Sequence, residues 1–120
     1  MSMQYTILLG AGAHIDDTTS AKAMRADLVQ THIKSWTEQL CAVFGGCTMS
    51  IVDGNYVMNN GELCTESSFQ FTCIKFGDNT VEQAQAWIEV KLIARDMCKV
   101  FEQECVLISR HACDAELVGV

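Results

Sequence analysis

The sequence predicts an α+β sandwich, a four-stranded antiparallel sheet with two helices on one face. Three observations carry this. Short β-branched or alternating runs bracket two long runs of helical period, in the order strand, helix, strand, strand, helix, strand. The two middle strands are joined by Asn59-Asn60-Gly61, a strong hairpin signal. No proline occurs anywhere in the 120 residues, so no run is broken by one.

Gln4-Tyr5-Thr6-Ile7-Leu8-Leu9 reads as a short buried strand, ended by Gly10. Gly10 to Asp17 is a connecting loop. Thr19 or Ser20 offers an N-cap for a helix of roughly six turns. Its apolar stripe is Met24, Leu28, Ile33, Trp36, Leu40 and Val43 or Phe44, and Gly45-Gly46 ends it. Residues 47–58 form the second strand. Cys47, Met49 and Ile51 lie on one side, Thr48 and Ser50 on the other, with a bend or bulge expected at Asp53-Gly54. The Asn59-Asn60-Gly61 turn is expected to be of type I′, which needs positive φ.

The return strand runs from Glu62 to Phe76, with a kink expected near Ser67-Ser68. Leu63, Phe69, Phe71 and Cys73 share one face; Glu62, Cys64, Glu66, Ser68, Gln70 and Thr72 share the other. Thr80 with Gln83 resembles a capping box opening the second helix. Its expected buried stripe is Val81, Ala84, Trp87 or Ile88, Lys91 or Leu92, Arg95, Cys98 and Phe101. Cys105 to Ser109 is the last strand, and Glu116-Leu117-Val118 is a candidate edge strand in the tail. This order is the split βαβ, ferredoxin-like arrangement. The whole of residues 1–120 is expected to be one domain, with an ambiguous tail at 110–120. The sheet face away from the helices should carry small polar residues: Thr48, Ser50, Ser68, Gln70 and Thr72.

Eight Lys and Arg against 15 Asp and Glu give a formal charge of −7. Such a chain is poorly suited to binding nucleic-acid phosphates or an anionic membrane. The cysteines number seven, so one chain cannot pair them all. Without a basic, apolar leader at Met1 to Ala13, free thiols in a reducing cytoplasm are expected. Most cysteines fall at apolar positions, where the residue acts as a small hydrophobe.

Gly45-Gly46-Cys47-Thr48, Gly54-Asn55-Tyr56, Gly61-Glu62-Leu63 with Glu66, and Phe101-Glu102-Gln103-Glu104-Cys105-Val106-Leu107 form a spaced pattern. The pattern resembles that of small bacteriophage-encoded and bacterial proteins of uncharacterised families, over about residues 45–108. Tyr56 stands where tryptophan is commoner in those proteins, and Cys105 where alanine or serine is. The resemblance implies the ferredoxin-like fold and an accessory role, such as blocking or sequestering a component of host defence.

No catalytic set is legible. Gly10-Ala11-Gly12-Ala13-His14 lacks the third glycine of a dinucleotide loop and the Gly-Lys-Ser/Thr of a phosphate loop. His14, Asp16 and Asp17 are hard-ligand or general-base residue types, yet two aspartates in a loop are usually just solvated. Cys41, Cys47, His111 and Cys113 lack zinc-knuckle spacing, so no metal or cofactor is expected. Glu62, Glu66, Glu104 and Asp53 are the acidic residues of the hairpin and last strand. Glu62 and Glu66 are about 13 Å apart along a strand, too far to act as a carboxylate pair unless the chain bends.

The binding candidates are therefore Tyr56 near the hairpin tip, Glu66 and Gln70 on the polar face, Gln103 at a helix-to-strand junction, and His14. The reading is a non-enzymatic protein, expected to be a homo-oligomer, that inhibits or sequesters a host protein or a small nucleotide-like ligand. The competing readings are a small-molecule enzyme using His14, Glu66 or a cysteine, and an acidic DNA mimic.

Overall fold

A computed structural model describes residues 1–10, 20–57, 59–103 and 105–119, with the backbone alone at 20–28, 56 and 64–66. The elements run β1 (Ser2–Gly10), α1 (Ser20–Phe44), β2 (Thr48–Val57), β3 (Leu63–Lys75), α2 (Thr80–Val100) and β4 (Leu107–Cys113). The strands form one antiparallel sheet in the order β2-β3-β1-β4. This is the expected α+β, ferredoxin-like arrangement.

Both helices pack on one face, over Tyr5, Ile7 and Leu9 of β1 and Phe69, Phe71 and Cys73 of β3. Helix α1 contributes Val29, Ile33, Trp36, Leu40 and Phe44, so the predicted stripe holds from Ile33 onward. Met24 and Leu28 lie among the residues whose side chains are not described.

Helix α2 is rotated from expectation. Its buried face is Ala86, Val90, Ile93, Ala94 and Met97, continued by Phe101. Val81, Ile88 and Leu92 are 63%, 54% and 50% exposed. Two apolar stripes satisfy the helical period in this segment, and packing selects the one that holds Ala86 and Ala94. Small side chains there let the helix approach the sheet closely. The cap also differs. Asn79, not Thr80, is the N-cap: its side-chain oxygen accepts from the backbone N–H groups of Val81 and Glu82 at 3.0 and 3.1 Å. Gln83 is thereby free for another task, donating to the carbonyls of Lys75 and Gly77, both at 2.9 Å.

The hairpin ladder is regular. Pairing runs unbroken, one residue against one, from Thr48↔Thr72 to Val57↔Leu63, so no bulge is inserted at Asp53-Gly54. The turn is longer than a two-residue I′ turn, because Val57 and Leu63 are the last pair. Among the described residues of the turn, the positive φ falls on Gly61, at 84°, and the Asn60 side chain accepts from the Glu62 N–H at 3.0 Å. Strand β4 starts two residues later than expected and runs on to Cys113, as an outer strand with Leu107 exposed. The tail forms no strand at 116–118.

The end of α2 is a Schellman cap. Phe101 is the C-cap, Glu102 adopts φ 52°, and the Gln103 N–H donates to the Cys98 carbonyl at 3.0 Å. Glycine usually fills the left-handed position that Glu102 occupies here. Among the described residues, no helix is long and apolar enough to cross a membrane.

Candidate functional site

The strand period sets the chemistry of the sheet face opposite the helices. Residues paired across the ladders share a face, and alternate residues repeat it. On β1 that face holds Gln4, Thr6 and Leu8; on β2, Thr48, Ser50 and Val52; on β3, Ser68, Gln70, Thr72 and Ile74. On β4 the same ladder adds Leu107, Ser109 and His111. Thr48 and Ser50 are exposed, and Gln70 and Thr72 are half-buried. The Gln70 amide donates to Thr72 Oγ1 at 3.5 Å. Ser68 is the exception, buried beside Val52 and Gly10 in the register.

Register also decides which sequence candidates meet. Tyr56 lies opposite Cys64, and Glu66 opposite Gly54. Tyr56 and Glu66 are therefore diagonal positions of one ladder, with backbone sites roughly 7–8 Å apart. Glu62 sits in the turn, outside the strand, so Glu66 gains Tyr56 rather than a second carboxylate as its neighbour in register. Asp53 is engaged elsewhere, accepting from the Ser67 hydroxyl at 3.1 Å. Gln103 Nε2 donates to the Phe101 carbonyl at 3.4 Å, so its side chain braces the turn that closes α2. His14 and Glu104 lie outside the described residues.

The zinc candidates are not brought together. His111 and Cys113 are on β4, and Cys47 immediately precedes β2 at the opposite edge of the sheet. Three strand spacings, about 14 Å, separate those edges. Among the described residues, no cluster of three or more His, Cys, Asp or Glu is arranged to hold a metal ion.

One pair escaped the sequence reading. Cys47 precedes the Thr48↔Thr72 rung and Cys73 follows it, so the two thiols meet across β2 and β3. The two side chains interact through a hydrogen bond. That hydrogen bond holds the Cys47 thiol below its ordinary pKa against the opposing effect of burial. The same bond, with burial added, pushes the Cys73 thiol up. The signal was present in the sequence as two cysteines flanking paired threonines, but it needed the register to be read.

No known family model matches the chain, and no curated protein sequence does. Among solved structures it is similar to a phage SAM lyase in complex with S-methyl-5′-thioadenosine. The two are 20% identical with a TM-score of 0.58, over 92% of this chain and 80% of that one. The apo state of a phage SAM lyase gives 17% identity and 0.58, over 91% and 78%. The periplasmic divalent cation tolerance protein CutA from Archaeoglobus fulgidus gives 12% and 0.51, over 98% and 88%. At these identities the likeness is one of fold.

Proposed function

We infer that this chain is a phage accessory protein that binds S-adenosylmethionine and removes it by cleavage. The observation that carries the reading is the shared fold, over 92% of the chain, with a phage SAM lyase that holds S-methyl-5′-thioadenosine. It joins the earlier expectation of a nucleotide-like ligand to the alternative of a small-molecule enzyme. Release of the thioadenosine from S-adenosylmethionine breaks the bond between the sulfonium sulfur and the γ-carbon of the amino-acid arm. The bonding electron pair stays on sulfur and neutralises it, while an oxygen of the substrate's own α-carboxylate bonds to the γ-carbon and the amino-acid arm leaves as a lactone.

The residues proposed to serve this chemistry are Glu66 and Tyr56, neighbours in register on the β2–β3 ladder. Glu66 supplies the negative charge that favours a sulfonium over a neutral thioether. Tyr56 supplies an aromatic face for the adenine ring or the cation. The half-buried Gln70 and its polar neighbours form the surface on which copies of the chain associate. The experiment is incubation with S-adenosylmethionine, followed by liquid chromatography and mass spectrometry, with calorimetry run alongside. S-methyl-5′-thioadenosine appearing in step with substrate loss is the expected result. Tight binding without product moves the reading to sequestration, and neither binding nor product ends it.

A further inference from the structure

Beyond that reading, and independent of it, the geometry points to a thiol-exchange site: we propose that Cys47 and Cys73 form a redox-active dithiol that reacts with low-molecular-weight disulfides, Cys47 attacking and Cys73 resolving. Both thiols line a cavity of about 440 Å³ at the edge of the sheet, walled by Phe44, Ile74, Phe76 and Leu117. Gly45 and Gly46 form its rim, and a Cβ built on either would meet nothing within 4 Å. The approach to Cys47 is thus open, and Cys47 itself is half-buried. Cys73 is 3% exposed and packs in the core behind it.

This division suits the chemistry of exchange. The attacking sulfur must be reachable and available as thiolate, whereas the resolving sulfur needs only to lie beside it. The hydrogen bond with Cys73 favours the thiolate at Cys47. Oxidised glutathione is a suitable probe. The Cys47 thiolate attacks one sulfur of the glutathione disulfide, forming a Cys47–glutathione disulfide and expelling one glutathione thiolate. Cys73 then gives up its proton, and its sulfur attacks the Cys47 sulfur. A Cys47–Cys73 disulfide forms and the second glutathione leaves. The dithiol loses two electrons and two protons, and one glutathione disulfide becomes two glutathione thiols.

The test uses the full chain, reduced, exposed to oxidised glutathione, quenched with N-ethylmaleimide and cleaved after glutamate. Cleavage separates residues 39–62, which hold Cys41 and Cys47, from residues 67–82, which hold Cys73. The expected product is those two peptides joined, lighter than their reduced sum by two hydrogens, with fragmentation placing the bond at Cys47. A transient glutathione adduct at Cys47 should precede it. Cys73→Ser should trap that adduct, and Cys73→Ala serves if the serine disturbs the core. Cys41→Ser should leave the link intact. Cys47→Ser should abolish it, and Cys47 should react roughly tenfold faster than Cys98 or Cys113. A link that survives Cys47→Ser, a link made through Cys41, or glutathione captured first at the exposed Cys105 with Cys47 unmodified would overturn the proposal.

Discussion

The indole Nε1 of Trp36 donates to Oδ2 of Asp96 at 2.8 Å, joining α1 to α2 across 60 residues of sequence. Trp36 is 1% exposed, and its ring meets Phe101 edge-on at a centroid distance of 5.6 Å. Removing the acceptor leaves a buried N–H unpaired. Asp96→Leu is therefore expected to cost about 1–3 kcal/mol, whereas Asp96→Asn, which keeps an oxygen, should cost less. Urea denaturation of the two variants checks the order, and equal losses would reject the bond as the cause.

Tyr5 and Gln83 make a second long-range link. The Tyr5 hydroxyl lies 2.6 Å from Gln83 Oε1 and 2.9 Å from the Gln83 carbonyl oxygen. The Gln83 amide nitrogen in turn holds the β3–α2 connection through Lys75 and Gly77. Gln83→Ala should destabilise by about 1–3 kcal/mol and Tyr5→Phe by about 1 kcal/mol. Their double variant should lose less than the sum, because both act on one network. Thermal melts of the three variants decide this; strict additivity would separate the two residues.

Glu102 stands at φ 52° in the cap that closes α2. Glu102→Gly relieves an unfavourable left-handed conformation, at some cost in the entropy of the unfolded chain. The expected net gain is about 1 kcal/mol, read as a higher melting temperature. A lower one would mean that the glutamate side chain is itself a stabilising contact.

Gln70 lies near the centre of the polar sheet face, paired with Leu8 and Ser50. If copies associate there, Gln70→Arg should reduce the mass measured by light scattering to that of one chain, with the circular dichroism unchanged. An oligomer that withstands the arginine directs attention to the exposed Val81, Ile88 and Leu92 of α2, where Leu92→Glu becomes the separating variant.

Glu66→Gln removes the charge proposed to hold the sulfonium and retains the shape. Loss of S-adenosylmethionine cleavage by tenfold or more is expected, as for a charged contact of about 1.5–3 kcal/mol. Tyr56→Leu should weaken binding of both S-adenosylmethionine and S-methyl-5′-thioadenosine, since both carry the ring that an aromatic face stacks against. Unchanged binding in both variants would place the ligand elsewhere on the molecule.

Hydrophobic period and turn chemistry are local, and they were legible in the residues. The order of six elements, the inward face of β3 and the inner stripe of α1 from Ile33 to Phe44 follow from spacing alone. So does the small, polar face around Thr48, Ser50 and Thr72, because strand parity needs no knowledge of the neighbouring strand. What spacing could not choose was a phase where two phases were apolar. Helix α2 carries Val81, Ile88 and Leu92 on one side and Val90, Ile93 and Met97 on the other, and close packing through Ala86 and Ala94 selects the second. Register likewise belongs to the assembled sheet. It set Tyr56 diagonal to Glu66, put Cys47 beside Cys73, and kept Cys47 a sheet's width from His111, because hydrogen bonding between strands fixes positions that lie far apart along the chain.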